Sequence, residues 1–219
     1  MGYDKGLKTR DKIIEISKEL FYEKGFKKTR VTEICEISEV KGGTLTYYFN
    51  TKKDIVNTLY GELLVQCDTF VEQNTEASAS SFEKGVIAGF LFNLAVFKNK
   101  KTVHFHHEVN LDASASEYIA PHLKKMYTRF NLELNLNLNE EDNDEILLAD
   151  AGMRRELTLY FIKQKGYTIK ESDIILFAQK EYLFMGRLFL VEPQSMEKNI
   201  AVAKDFIKNH DLSAIKLLL

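Results

Sequence analysis

Two prolines in 219 residues leave the backbone almost nowhere obliged to break. Proline removes a backbone donor and clashes with the preceding turn, at about 3 kcal/mol in a helix interior. A chain this poor in it, punctuated by only 11 glycines, is expected to be built from long helices. Apolar residues make up 45% and charged residues 28% of the chain, which suits a globular protein with a real core and excludes a mainly disordered one. The expected fold class is all-α.

Apolar spacing divides the chain into segments. Ile13, Ile14, Ile16, Leu20 and Phe21 make a helical face that Gly25 is expected to close. Val31, Ile34, Cys35 and Ile37 give two turns more, ending near Ser38, and Gly43 to Phe49 forms a third short helix with Leu45 and Phe49 facing inward. Thr51 and Asp54 have the form of a capping box, which predicts a fourth helix running through Ile55, Leu59, Leu63, Cys67 and Val71. Further helices are expected at 82-98, 101-112, 116-130, 140-165, 171-191 and 195-208, with a short one near 212-218. In "LELNLNLN" leucines alternate with polar residues at the period of a strand, yet no partner strand is in sight, so 131–139 is read as irregular or as a helical extension.

Cys35 and Cys67 sit in apolar helical patterns without a CxxC, as buried free thiols would. The N-terminus lacks an apolar leader and no run approaches the ~18 apolar residues of a membrane span, so a cytoplasmic protein is expected. Charge is uneven. Residues 1–60 hold 12 Lys/Arg against 9 Asp/Glu, net +3, while the whole chain is −2. The positive end coincides with "KGGTLTYYFNTKKD", Lys41 to Asp54.

That stretch suits contact with DNA. Gly42 and Gly43 let the backbone come close to a phosphate, and Thr44 and Thr46 offer hydroxyls and methyls to base edges. Tyr47, Tyr48, Lys41, Lys52 and Lys53 can reach phosphates. Two short helices beneath a longer one make a helix-turn-helix, whose second helix enters the major groove. A plain helical hairpin with core aromatics and solvated lysines fits the composition equally well.

Residues 10 to 56 resemble the N-terminal domain of the TetR family of transcriptional regulators. "LFYEKGF" closes helix one, "VTEI" opens helix two, "GGTLTYYF" forms helix three and "TKKDIV" starts helix four. The resemblance implies a three-helix DNA-binding domain over 1–55 and a larger helical domain over 56–219 for effector binding and dimerisation. It implies that Gly43, Thr44 and Thr46 face bases, that Tyr47, Tyr48, Lys52 and Thr32 bind phosphate, and that Phe21, Ile34, Leu45 and Phe49 form the small core. Three positions depart from the family pattern: Arg30 stands where Thr or Ser caps helix two, so that Thr29 takes that role or Arg30 grips phosphate; Glu39 replaces a turn glycine; and Thr46 replaces a frequent aromatic.

By the same resemblance the protein is a homodimer through the helices near 171–191 and 195–208, binding a palindromic operator and released by a small molecule. Candidate effector contacts are Phe90, Asn93, Phe97, Phe105, His107, Tyr118, His122, Met126, Met153 and Tyr160, an apolar and aromatic set. In "HFHHEV", His104, His107 and Glu108 share a helical face, which leaves open a metal-dependent all-α enzyme, although no fourth ligand is evident. The run "EEDNDE" at 140–145 reads as a helix N-terminus favoured by the helix dipole. No cofactor or catalysis is expected.

Overall fold

The computed structural model describes residues 2–112 and 120–219, and among them ten α-helices and no strand. The first three make the N-terminal unit: α1 (Gly2–Lys28), α2 (Val31–Ser38) and α3 (Gly42–Tyr48). Ile13, Phe21, Ile34, Leu45, Phe49 and Ile55 are all 3% exposed or less, so the expected small core is present. Gly25 does not end α1. It takes φ +80° and ψ 175°, kinking the helix, which resumes as far as Lys28. The carbonyls left open at this end are closed by side chains: the Thr29 hydroxyl donates to Gly25 O at 2.7 Å, and the Lys52 ammonium donates to Phe26 O at 2.6 Å and Thr29 O at 2.9 Å.

Two departures from the family pattern resolve locally. Arg30 precedes α2 with extended backbone and makes no side-chain cap, while Thr29 serves the end of α1, so neither caps α2. Glu39 adopts a left-handed conformation, φ 57°, and closes α2 with Val40 N–H on Cys35 O at 3.0 Å. A residue with a Cβ is strained there, and Lys12 holds its carboxylate at 2.5 Å.

Helix α4 (Lys52–Asn74) starts at the expected capping box, with Thr51 N–H on the Asp54 carboxylate at 2.8 Å, and passes unbroken through residues 55 and 56. Around it stand α5 (Ser81–Val96), α6 (Lys100–Leu111), α7 (Ala120–Glu133), α8 (Glu140–Lys165), α9 (Glu171–Leu188) and α10 (Pro193–Asn209). Helix α5 is central, with 10 of its 16 residues buried, so an amphipathic pattern would not suit it.

Elsewhere the structure corrects the reading. The start of the helix expected at 116–130 lies outside the described residues, and its visible part runs on to Glu133. Beyond it the alternating leucines are irregular, as expected: Asn135 and Asn137 take positive φ, 53° and 56°, which asparagine tolerates. The Asn131 amide brackets Leu138, accepting from its N–H at 3.0 Å and donating to its carbonyl at 2.7 Å. Helix α9 stops at Leu188, because Leu190 turns to φ 52°. No helix forms at 212–218. That tail is pinned to α4 by the Gln66 amide on the backbone of Lys216, and buries Ile215, Leu217 and Leu218. Among the described residues no helix is long and apolar enough to cross a membrane.

Candidate nucleic-acid interface and effector cavity

Helix α3 faces outward along one side. Lys41, Gly42, Gly43, Thr46 and Tyr47 are exposed, Thr44 half-buried, and Tyr47 is 82% exposed, which is unusual for so large a ring. A Cβ built on Gly42 or Gly43 would meet nothing within 4 Å, so a second molecule can approach the backbone. Thr32, on the first turn of α2, is exposed as well. Two expected phosphate ligands are partly buried. Tyr48 is half-buried, its ring edge-on to Tyr47 at 5.0 Å and its hydroxyl over Gly6 of α1. Lys52 closes the end of α1 and stacks on Phe26 at 4.2 Å, and burial lowers its pKa.

The histidine run on α6 is divided between two tasks. The Glu108 carboxylate, 8% exposed, accepts the Lys27 N–H at 2.9 Å, just past the Gly25 kink, with His104 beside it at 3.6 Å. His107 is hydrogen-bonded to the Tyr167 hydroxyl at 2.7 Å, and burial lowers its pKa. Among the described residues no group of three or more His, Cys, Asp or Glu is disposed to hold a metal.

On the inner side of α6, His106 and Asn110 reach a cavity of about 60 Å³ enclosed by α4 to α9. Of the expected effector contacts, Asn93, His122 and Met126 line it. Phe90, Phe97 and Phe105 are core residues at 1% exposure or less: Phe97 packs edge-on to Phe161 and Phe177, and Phe105 against Phe21 and Tyr60. His107 is at the α1 junction, Met153 is not on the wall, Tyr160 is 63% exposed on the outside, and Tyr118 lies outside the described residues.

The cavity is less uniformly apolar than expected. Leu64, Ala88, Phe92, Leu123 and Met126 supply carbon surface, but one end is ionic. There Arg154 Nε donates to Asp150 at 2.6 Å and Nη1 to Glu181 at 2.9 Å, while its guanidinium lies 4.9 Å over the Tyr182 ring. Asn93 donates to Glu181 at 2.7 Å, and the Tyr127 hydroxyl to Asp150. Burial pushes the Glu181 carboxyl upward against the pull of Arg154. At the other end His122 pairs with Asp68 at 3.0 Å, beside a surface groove that shares both residues. The sequence carried signals for this end: Asp150 and Arg154 are at i, i+4 spacing, and Glu181 interrupts an apolar helix.

His106 is 2% exposed and its Nδ1 is hydrogen-bonded to the Tyr60 hydroxyl of α4 at 2.6 Å. Burial drives its pKa from 6.5 to about 3. The unfolded chain therefore takes the proton first, and stability present above pH 6.5 is lost as pH falls toward 3. Between pH 7 and pH 5 this one group should remove about 2 kcal/mol. Urea unfolding at the two values checks it: His106→Gln should flatten the pH dependence by that amount, and an unchanged slope would contradict it.

Residues 13–59 match the family described as bacterial regulatory proteins, tetR family. The HTH-type transcriptional regulator QacR of Staphylococcus aureus is 41% identical over 46 residues, a match spanning 21% of this chain and 24% of QacR. Two crystal structures share the fold at low identity. RolR, in complex with resorcinol, superposes with a TM-score of 0.57 at 16% identity over 92% of this chain and 95% of its own. TylP, a tetR regulator from Streptomyces fradiae, does so with a TM-score of 0.55 at 15% identity over 91% and 97%. The tetR family's signature thus covers the helix-turn-helix segment, residues 13–59, and the fold of solved tetR regulators extends over about nine-tenths of the chain.

Proposed function

We propose that the protein is a DNA-binding transcriptional regulator, a repressor that leaves its operator when a small molecule enters the cavity. One observation carries the reading: α6 lines the cavity with His106 and Asn110 and grips the end of α1 with Glu108. An occupant that moves His106 also pulls on Tyr60 of α4, the helix that begins against the DNA-binding unit. Ligand and DNA then favour different positions of α4 and α6, and each weakens the other by the same factor.

The operator contacts in this reading are Thr32, Lys41, Gly43, Thr44, Thr46 and Tyr47, with Tyr48 and Lys52 supporting α3 and α1 from behind. Short side chains dominate that face, so specificity leans on thymine methyls, water and DNA shape.

A dimer is part of the proposal, and its surface differs from the expected pair. Helix α10 buries Met196, Ile200, Ala203, Phe206 and Ile207 within its own chain. Exposed apolar side chains lie instead on α8 and α9: Leu148 at 74%, Tyr160 at 63%, Leu176 at 54% and Phe184 at 40%. A two-fold contact there covers them.

Gel-shift titrations test the DNA-binding claim. Tyr47→Ala should lower operator affinity by about 2 kcal/mol, roughly thirty-fold, from one lost phosphate bond in each subunit. Lys41→Ala should reduce the slope of log affinity against log salt by about 2 for the dimer. If both variants bind as the parent does, α3 is not the reading helix.

A further inference from the structure

The ionic end of the cavity holds an incomplete set of partners. Arg154 Nη2 is buried and has no hydrogen-bond partner, although the same guanidinium uses Nε on Asp150 and Nη1 on Glu181. A buried guanidinium N–H left open is costly, and native structures rarely keep one without a reason. Arg154 is on the cavity wall, so the reason can be an occupant that brings an acceptor.

The charge around it narrows the occupant. Arg154 already stands between two carboxylates, so an anionic ligand would add a third negative charge in a place where water cannot screen it. A cationic ligand would need an aromatic face and a carboxylate. Arg154 itself occupies the Tyr182 face and Glu181. The other charged groups on the wall have partners: Arg155 donates to Asn110 O at 2.9 Å and pairs with Glu156, and His122 pairs with Asp68. What remains is carbon surface, the unused Arg154 Nη2 donor on the wall and, behind it, the Asp150 Oδ1 acceptor, which is also buried without a partner.

We propose that the cavity takes an uncharged small molecule with a compact apolar body of a few carbon atoms and a carbonyl or hydroxyl oxygen that accepts from Arg154 Nη2. The body lies among Leu64, Ala88, Phe92 and Met126, and the oxygen points to α8. The assignment rests on the regulatory reading for its purpose, but not for its chemistry.

Calorimetric titration of the full chain with three small probes tests it: acetone, acetate and methylammonium. Acetone should bind at least about tenfold tighter than either ion. Arg154→Lys keeps the positive charge but removes Nη2, and should weaken acetone by about tenfold. Ala88→Leu leaves the ionic end intact, fills the cavity and should abolish binding; it serves also if Arg154→Lys fails to fold. Tighter binding of either ion, no binding of any probe, or acetone binding unchanged in Ala88→Leu would overturn the proposal. Failure of the regulatory reading shows elsewhere, in the ligand-free protein's binding to genomic DNA.

Discussion

Replacing Arg154 by methionine is expected to lower stability by about 3–5 kcal/mol, because it leaves two buried carboxylates without their cation. Asp150 is fully buried and Glu181 is 3% exposed, so neither can turn to water. For a chain of this length the loss corresponds to a melting temperature lower by roughly 10 °C. The deficit should also depend on pH. Burial already raises the pKa of Glu181 above 4.5 with Arg154 in place, and without the guanidinium it rises further. In the window above 4.5 the folded variant then holds a proton that the unfolded chain releases, so its stability falls as pH rises. The gap to the parent should be smaller at pH 5 than at pH 7.5, and adding Glu181→Gln should restore part of it. Thermal unfolding at both values checks this, and an unshifted melting temperature would show that the pair network does not hold α8 and α9 together.

Gly89→Ala should also destabilise, by about 3 kcal/mol, against the usual direction for that change in a helix. Alanine is favoured over glycine in a helix interior by about 1 kcal/mol. At Gly89, however, a Cβ would stand 1.4 Å from the Tyr182 hydroxyl oxygen and 2.1 Å from its ring. Tyr182 is 3% exposed, with Arg154 over its face and Phe90 at 5.8 Å, so the ring can yield only into the cavity and away from Arg154. Overpacking of this kind outweighs propensity. Gly152→Ala in α8 is the control: nothing lies within 4 Å of a Cβ there, and the change should stabilise by roughly 0.5–1 kcal/mol. Denaturant unfolding of the two variants should therefore move in opposite directions.

The N-terminal unit was legible because its rules are local. The capping box at Thr51 and Asp54, the inward pair Leu45 and Phe49 and the glycines of α3 depend on neighbours within a turn or two. The ionic end of the cavity was not, because it depends on four helices meeting. Asn93 comes from α5, Tyr127 from α7, Asp150 and Arg154 from α8, and Glu181 and Tyr182 from α9. Aromatic content misled the choice of lining residues. Phe97 and Phe105 are filled core, while the small residues Gly85, Ala88 and Gly89 leave the space. The alternation at 132–138 had the period of a strand, but two asparagines with positive φ keep it irregular. The proposed dimer surface departs from the expected pair for a similar reason. Helix α10 is the more evenly amphipathic helix, and its apolar face is covered by α5 and α9 of its own chain.

The central claim is that α3 reads specific DNA in a state that the cavity controls. Capture of sheared genomic DNA of the source organism on the immobilised full chain, followed by sequencing, tests it most directly, with Tyr47→Ala as the control. The account predicts a small set of enriched fragments sharing an inverted repeat, with half-sites spaced by about one or more turns of B-DNA, and lost in the variant. Equal recovery of all fragments, or the same enriched set with Tyr47→Ala, would contradict it.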